Sequence, residues 1–137
     1  MEKIPVFLPH IDKEMRKHLE NALDVGWLGM GASTKKFEDK IMEFLKLKDR
    51  YAITTNTGTA ALHVALKIAN VGAGDEVITP SFNYVADQQA IKMSGASVVM
   101  CDILENNLGI DTVKAESLIT KKTKAIMPLH FAGIPCD

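Results

Sequence analysis

Hydrophobic and polar positions follow two rhythms along this chain, and the change between them divides it. Residues 12–25, DKEMRKHLENALDV, place Met15, Leu19, Ala22 and Leu23 at helical spacing, with Asp12 where an N-cap belongs. The stretch GWLGMGAST that follows holds Gly26, Gly29 and Gly31 around the only tryptophan, Trp27, and reads as a loop that is costly to order. Ser33 or Thr34 is then expected to cap a second helix, KKFEDKIMEFLKL, with Phe37, Ile41, Phe44 and Leu45 on one face. Each helix is amphipathic and has one side to bury.

From Tyr51 onward the apolar residues come in short runs separated by helical stretches. YAITT reads as a strand, NTGT as a turn, and the segment Ala60–Ala69 as a helix apolar nearly all round. EVITP is a second strand, ended by Pro80, and SFNYVADQQAIKMSG a loop running into a helix that stops at Gly95. ASVVMCDI is a third strand, DTVKAESLITKK a helix starting at Asp111, and KAIMPLHFAG a fourth strand. Strand runs without period-two alternation, each paired with a helix, predict an α/β fold with a mainly parallel sheet and helices on both faces. Ligands in such sheets sit beyond the carboxyl ends of the strands. That selects Asn56–Thr59, Ser81–Asp87, Asp102–Asn107 and His130–Pro135.

The first of these segments has chemistry of its own. A strand that stops at a small-residue turn and leads into a helix leaves backbone N–H groups free at the positive end of the helix dipole. An anion, most often a phosphate, fits there. Gly58 lets the main chain come close, and Thr57 and Thr59 offer hydroxyls. A tight connection with no ligand is the alternative reading of the same residues.

Composition narrows the picture only a little. The 137 residues suit one domain, and a net charge of −1 with interspersed signs steers the chain toward neither nucleic acid nor an anionic membrane. The opening EKIPVFLPHID, broken by Pro5 and Pro9, is too short and interrupted for a signal peptide or a span. Cys101 and Cys136 form no CxxC pair and have no histidine at zinc spacing, so no metal is expected and a reduced, cytoplasmic setting is.

Several blocks, taken together and in order, carry a resemblance. GWLGMGASTKKFE, NTGTAALHVAL, VGAGDEVITPSFNYVA, SGASVVMCDI and KTKAIMPLHFAGIPCD resemble successive segments of the DegT/DnrJ/EryC1/StrS family, sugar aminotransferases that use pyridoxal phosphate (PLP). The resemblance covers essentially the whole chain. It implies the N-terminal part of the large domain of a type I (aspartate aminotransferase-like) PLP enzyme. Residues 1–137 would be one α/β domain, an incomplete cofactor-binding domain, with 1–48 as a helical segment packing on it. The ending HFAGIPCD is similar to the branch that aminates 4-keto nucleotide sugars for surface polysaccharides.

The family's Gly-Thr turn holds the cofactor phosphate, which here implies Gly58 and Thr59. Its ring-stacking aromatic corresponds to Tyr84 in SFNYVA, and a planar aromatic suits that role because it covers the cofactor's π-system. An ordinary half-buried tyrosine is the plainer reading. The Gly26–Gly31 loop resembles the family's W-L-T-x-G segment, with Gly29 in place of the threonine, and puts Trp27 and Gly31 on the substrate side. After the aromatic, where the family usually has A-T-A-N-A, this chain has Ala86, Asp87, Gln88, Gln89 and Ala90. Asp87 would read a substrate group or serve only as a helix N-terminal charge. His130, ending the fourth strand, would lie near the cofactor or be structural.

Amino-group transfer with PLP also needs a lysine to hold the cofactor and move a proton, and a carboxylate to pair with its ring nitrogen. In the resembling family both follow the HFAGIPCD block, so the chain is expected to be about the first third of a longer enzyme and inactive alone. The resemblance further implies a homodimer, a keto nucleotide-sugar and an amino donor, usually glutamate. A sugar dehydratase of the same family using PLP or pyridoxamine phosphate (PMP), a remnant that only associates with other subunits, and a small phosphate- or nucleotide-binding module stand as alternatives. The chain contains neither G-x-G-x-x-G nor G-x-x-x-x-G-K-[ST].

Overall fold

The computed structural model describes residues 3–5 and 8–136; Val6 and Phe7 of the opening apolar patch lie outside them. The chain divides into two compact units, residues 1–54 and 55–137.

The first unit is helical. Helix α1 (Lys13–Val25) starts at Asp12, whose carboxylate accepts from the Met15 N–H at 2.8 Å, and ends at Gly26 with φ of 72°. Helix α2 (Ala32–Phe44) begins earlier than expected: Gly31 is its N-cap, and Ser33 and Thr34 lie inside the first turn. Trp27, four residues earlier, lies against this start. A Cβ on Gly31 would fall 2.6 Å from the Trp27 indole nitrogen, so the ring can lie against the helix entry only if that position is glycine. The Trp27 indole N–H donates to the Met30 carbonyl at 3.0 Å and fixes the loop.

Tyr51–Thr55 forms no strand. Its Tyr51 and Ile53 side chains are 87% and 75% exposed, and the Thr54 amide and hydroxyl are both held by Glu38, at 2.8 and 2.9 Å. β-propensity describes a fit to a pleated, paired surface, and among the described residues this segment has no ladder partner.

The second unit carries the α/β architecture. Helix α3 (Gly58–Ile68) leads into strand β1 (Glu76–Pro80), then helix α4 (Ala86–Ser94), strand β2 (Ser97–Cys101), the short helix α5 (Thr112–Ser117) and strand β3 (Thr123–Ile126). The sheet is parallel in the order β2-β1-β3, so the four expected strands are three among the described residues. Every residue of β1 from Val77 to Pro80 is buried, as the central strand requires. Val77 faces Leu66 of α3 and Ala90 and Ile91 of α4 in one cluster, and Ile78 faces Cys101, Ile110 and Ala115 of α5 in another. Helices therefore cover both faces. Burying the Ile78 side chain contributes on the order of 2–3 kcal/mol by transfer alone.

Gly95 ends α4 in the left-handed conformation with φ of 94°, and Asp111 caps α5 by accepting from the Val113 and Lys114 amides. Helix α5 stops at Ser117 because the Leu118–Thr123 segment turns tightly, the Thr120 and Thr123 side chains taking backbone bonds. Helix α3 is less enclosed than its composition suggested: only Leu66 is buried, and Ile68 is 75% exposed. No helix is long and apolar enough to cross a membrane, and no group of metal-ligating side chains occurs, among the described residues.

Candidate cofactor site

The topology brings the second unit's candidate segments to one rim. Strands β1, β2 and β3 run in the same direction, so Ser81–Asp87, Asp102–Asn107 and His130–Pro135 all follow carboxyl ends. Helix α3 joins the start of β1 through a short turn and α4 leaves from its end, and the two helices pack together. Both helices therefore run against the strands, with their N-termini at the carboxyl rim. Gly58 and Thr59 open α3, and Tyr84 sits just before α4.

The first turn of α3 accounts for its own donors in a telling way. The Thr57 hydroxyl accepts from the Ala60 N–H at 3.1 Å, and the Thr57 carbonyl accepts from Ala61 at 3.1 Å. The Gly58 and Thr59 amides are left without a partner among the described residues. A Cβ at Gly58 would meet nothing within 4 Å, so the space beside Gly58 is open, while Thr59 is half-buried. The Thr55 hydroxyl donates to the Thr57 carbonyl at 2.8 Å and holds the turn. Two amides without a partner among the described residues, at the positive end of an eleven-residue helix and with open space beside Gly58, fit a phosphate ester.

Tyr84 is 75% exposed, and its phenol makes no hydrogen bond among the described residues. Its ring is available to cover a planar group. Asp87 is buried: its carboxylate accepts from the Asn83 amide and from the Thr79 hydroxyl, the latter at 3.4 Å. It also lies in the first turn of α4, where the dipole favours its charge. The His130 Nδ1 accepts from the Cys136 amide at 3.1 Å, so that imidazole edge ties down the segment after β3. Trp27 and Gly31 lie in the first unit, where Trp27, His18 and Asn21 line a cavity of about 340 Å³.

Two features of the rim escaped sequence reasoning. The Phe82 and Phe131 rings pack with centroids 4.9 Å apart, tilted by 43°, and knit the loops after β1 and β3 together. Asn83, unremarkable in sequence, bonds both Asp87 and the Tyr84 backbone; its i,i+4 spacing from Asp87 was the available signal.

None of the four rim segments contains a lysine. Lys114 reaches the rim from α5, but its ammonium is bound by Asp102 at 2.6 Å and lies 3.7 Å from Asp111. The hydrogen bond that the Lys114 ammonium donates to Asp102 raises the Lys114 pKa, and Lys114 in turn holds the Asp102 carboxyl below the usual carboxylate range. A lysine kept protonated in this way is a poor nucleophile. Burial, followed by the charges of Asp111 and Asp102, pushes the Cys101 thiol up.

The chain is 41% identical over 134 residues to the spore coat polysaccharide biosynthesis protein SpsC of Bacillus subtilis (strain 168), covering 98% of this chain and 34% of that protein. It is 40% identical over 135 residues to the GDP-perosamine synthase of Vibrio cholerae, covering 98% and 36%. The PLP form of Spr1654 from Streptococcus pneumoniae superposes with a TM-score of 0.90 at 35% identity, covering 99% of this chain and 34% of that one. The chain thus spans about a third of the length of the curated relatives it matches. Residues 9–137 match the model of the DegT/DnrJ/EryC1/StrS aminotransferase family, and the chain belongs to that family.

Proposed function

We propose that this chain is the cofactor-anchoring portion of a PLP-dependent aminotransferase that acts on a keto nucleotide-sugar for surface polysaccharide biosynthesis. Glutamate is the amino donor in this reading, the assembly is a homodimer, and the setting is the cytoplasm. The observation that carries it is the pair of amides at Gly58 and Thr59 that have no partner among the described residues, with open space beside Gly58, on the rim that also presents Tyr84. Family membership and the polysaccharide and perosamine relatives support the sugar substrate.

PLP, when bound, supplies an electron-accepting ring for amino-group transfer. The chain's own residues bind and cover it. The Gly58 and Thr59 amides donate to the phosphate, and the Thr59 hydroxyl adds a third donor. Tyr84 covers one face of the ring and keeps water from it. Trp27, Gly31 and His130 are assigned to the substrate side. With no lysine in the rim segments and Lys114 bound by Asp102, the chain alone is expected to bind the cofactor without turning over an amino donor.

Titration with PMP tests the reading, because PMP forms no imine with surface lysines. Binding with a dissociation constant at least about tenfold below that of pyridoxamine, which lacks the phosphate, is expected. Equal binding of the two, or stabilisation by nucleotides and not by PMP, overturns it.

A further inference from the structure

We infer that Asn83 and Asp87 are positioning residues that set Tyr84 for the cofactor ring, an inference that rests on the function proposed above. Asp87 is 7% exposed, and a carboxylate in such a buried residue is costly to ionise unless donors surround it. Two donors do so on one oxygen: the Asn83 side-chain amide and the hydroxyl of Thr79, itself 0% exposed in the central strand. The Asn83 amide nitrogen also lies 3.4 Å from the Thr79 hydroxyl, which closes a ring of three side chains.

The other end of Asn83 is what gives the ring a purpose. Its Oδ1 accepts from the Tyr84 backbone N–H at 2.6 Å. Asn83 thus spends its donor on the buried carboxylate and its acceptor on the residue that carries the stacking ring. The backbone of Tyr84 is tied through two side chains to the floor of the sheet, while its phenol stays free. This is how a ring is held ready before its partner arrives, so that binding costs little further ordering. The turn itself does not need the arrangement: the amides of Asp87 and Gln89 already bond to the carbonyls of Tyr84 and Val85.

A double-mutant cycle on the full chain, read by PMP affinity and by circular dichroism induced in the PMP absorption band, separates positioning from general stability. Asp87→Ala and Asn83→Ala are each expected to weaken binding about tenfold and shrink the induced signal. Asp87→Asn, which keeps an acceptor for the Asn83 amide, is expected to retain both. In a Tyr84→Ala background, Asp87→Ala should weaken binding by less than about twofold, because it acts through the ring already removed. Equal losses from Asp87→Ala in both backgrounds overturn the inference. So does wild-type-like binding by Asp87→Ala and Asn83→Ala when Tyr84→Ala has lost it, and that result leaves the proposed function standing. If wild type binds no PMP, or Tyr84→Ala binds as wild type does, the cofactor reading fails first and the inference with it. Should Asp87→Ala fail to fold, Asn83→Ala on the exposed side of the ring answers the same question.

Discussion

Gly58→Ala should move stability and cofactor affinity in opposite directions. Gly58 is the first residue of α3, its φ lies outside the left-handed region, and a Cβ there meets nothing within 4 Å. The methyl therefore costs no strain and removes freedom from the unfolded chain. A gain of about 0.5 kcal/mol is expected, near the low end for such changes because the position is in the first turn. In a domain of this size that raises Tm by about 2 °C. The same methyl occupies the open space beside the free Gly58 amide. An amide donating to a charged phosphate contributes about 1.5–3 kcal/mol, so obstructing one such bond weakens PMP binding roughly 10- to 100-fold. Differential scanning calorimetry without ligand and a PMP titration measure the two effects on the same preparation. Raised Tm with unchanged affinity would place the phosphate somewhere other than over Gly58. Lowered Tm together with lost affinity would mean the substitution damages the helix start, and the argument from open space would be wrong.

Other consequences follow from the core and the charged pairs. Ile78→Ala, at a fully buried position between two covered faces, should cost about 3–4 kcal/mol in urea unfolding, and a loss under 1 kcal/mol would contradict the two-faced core. Cys136 should react with a thiol reagent in the native chain while Cys101, buried and with a raised pKa, reacts only on unfolding; equal rates would refute the packing of β2. The Asp102 carboxyl is held low by Lys114, so its contribution to stability is present above the ordinary carboxylate range and is lost as pH falls through its depressed folded value. The Tm gap between wild type and Asp102→Asn should therefore narrow as pH falls from about 6 to about 3. A gap that widens over that interval would refute the pairing.

What was legible in the sequence was local or strongly patterned. Asp12, Gly95 and Asp111 act at helix ends through bonds spanning a few residues, and each was readable as a cap from its type and position. The parallel sheet was readable because β1 and its neighbours are apolar runs spaced by helices. Tyr51–Thr55 misled because its β-branched and aromatic residues state a propensity, whereas a strand requires a partner, and Glu38 takes the Thr54 donor instead. The start of α2 was misplaced for a related reason: the Trp27 ring occupies the space beside Gly31, a contact that capping preferences do not encode. At the rim, Gly58, Thr59 and Tyr84 are proposed from turn chemistry and family resemblance. The role of Asn83 was not, because it depends on the burial of Thr79 and Asp87 across a turn.

The most direct measurement on the central claim is amide NMR of the chain during titration with PMP. The account predicts that the Gly58 and Thr59 N–H resonances shift most, with the Tyr84 ring protons following, and that pyridoxamine leaves the two amides in place. Saturable binding that leaves Gly58 and Thr59 unshifted would contradict it.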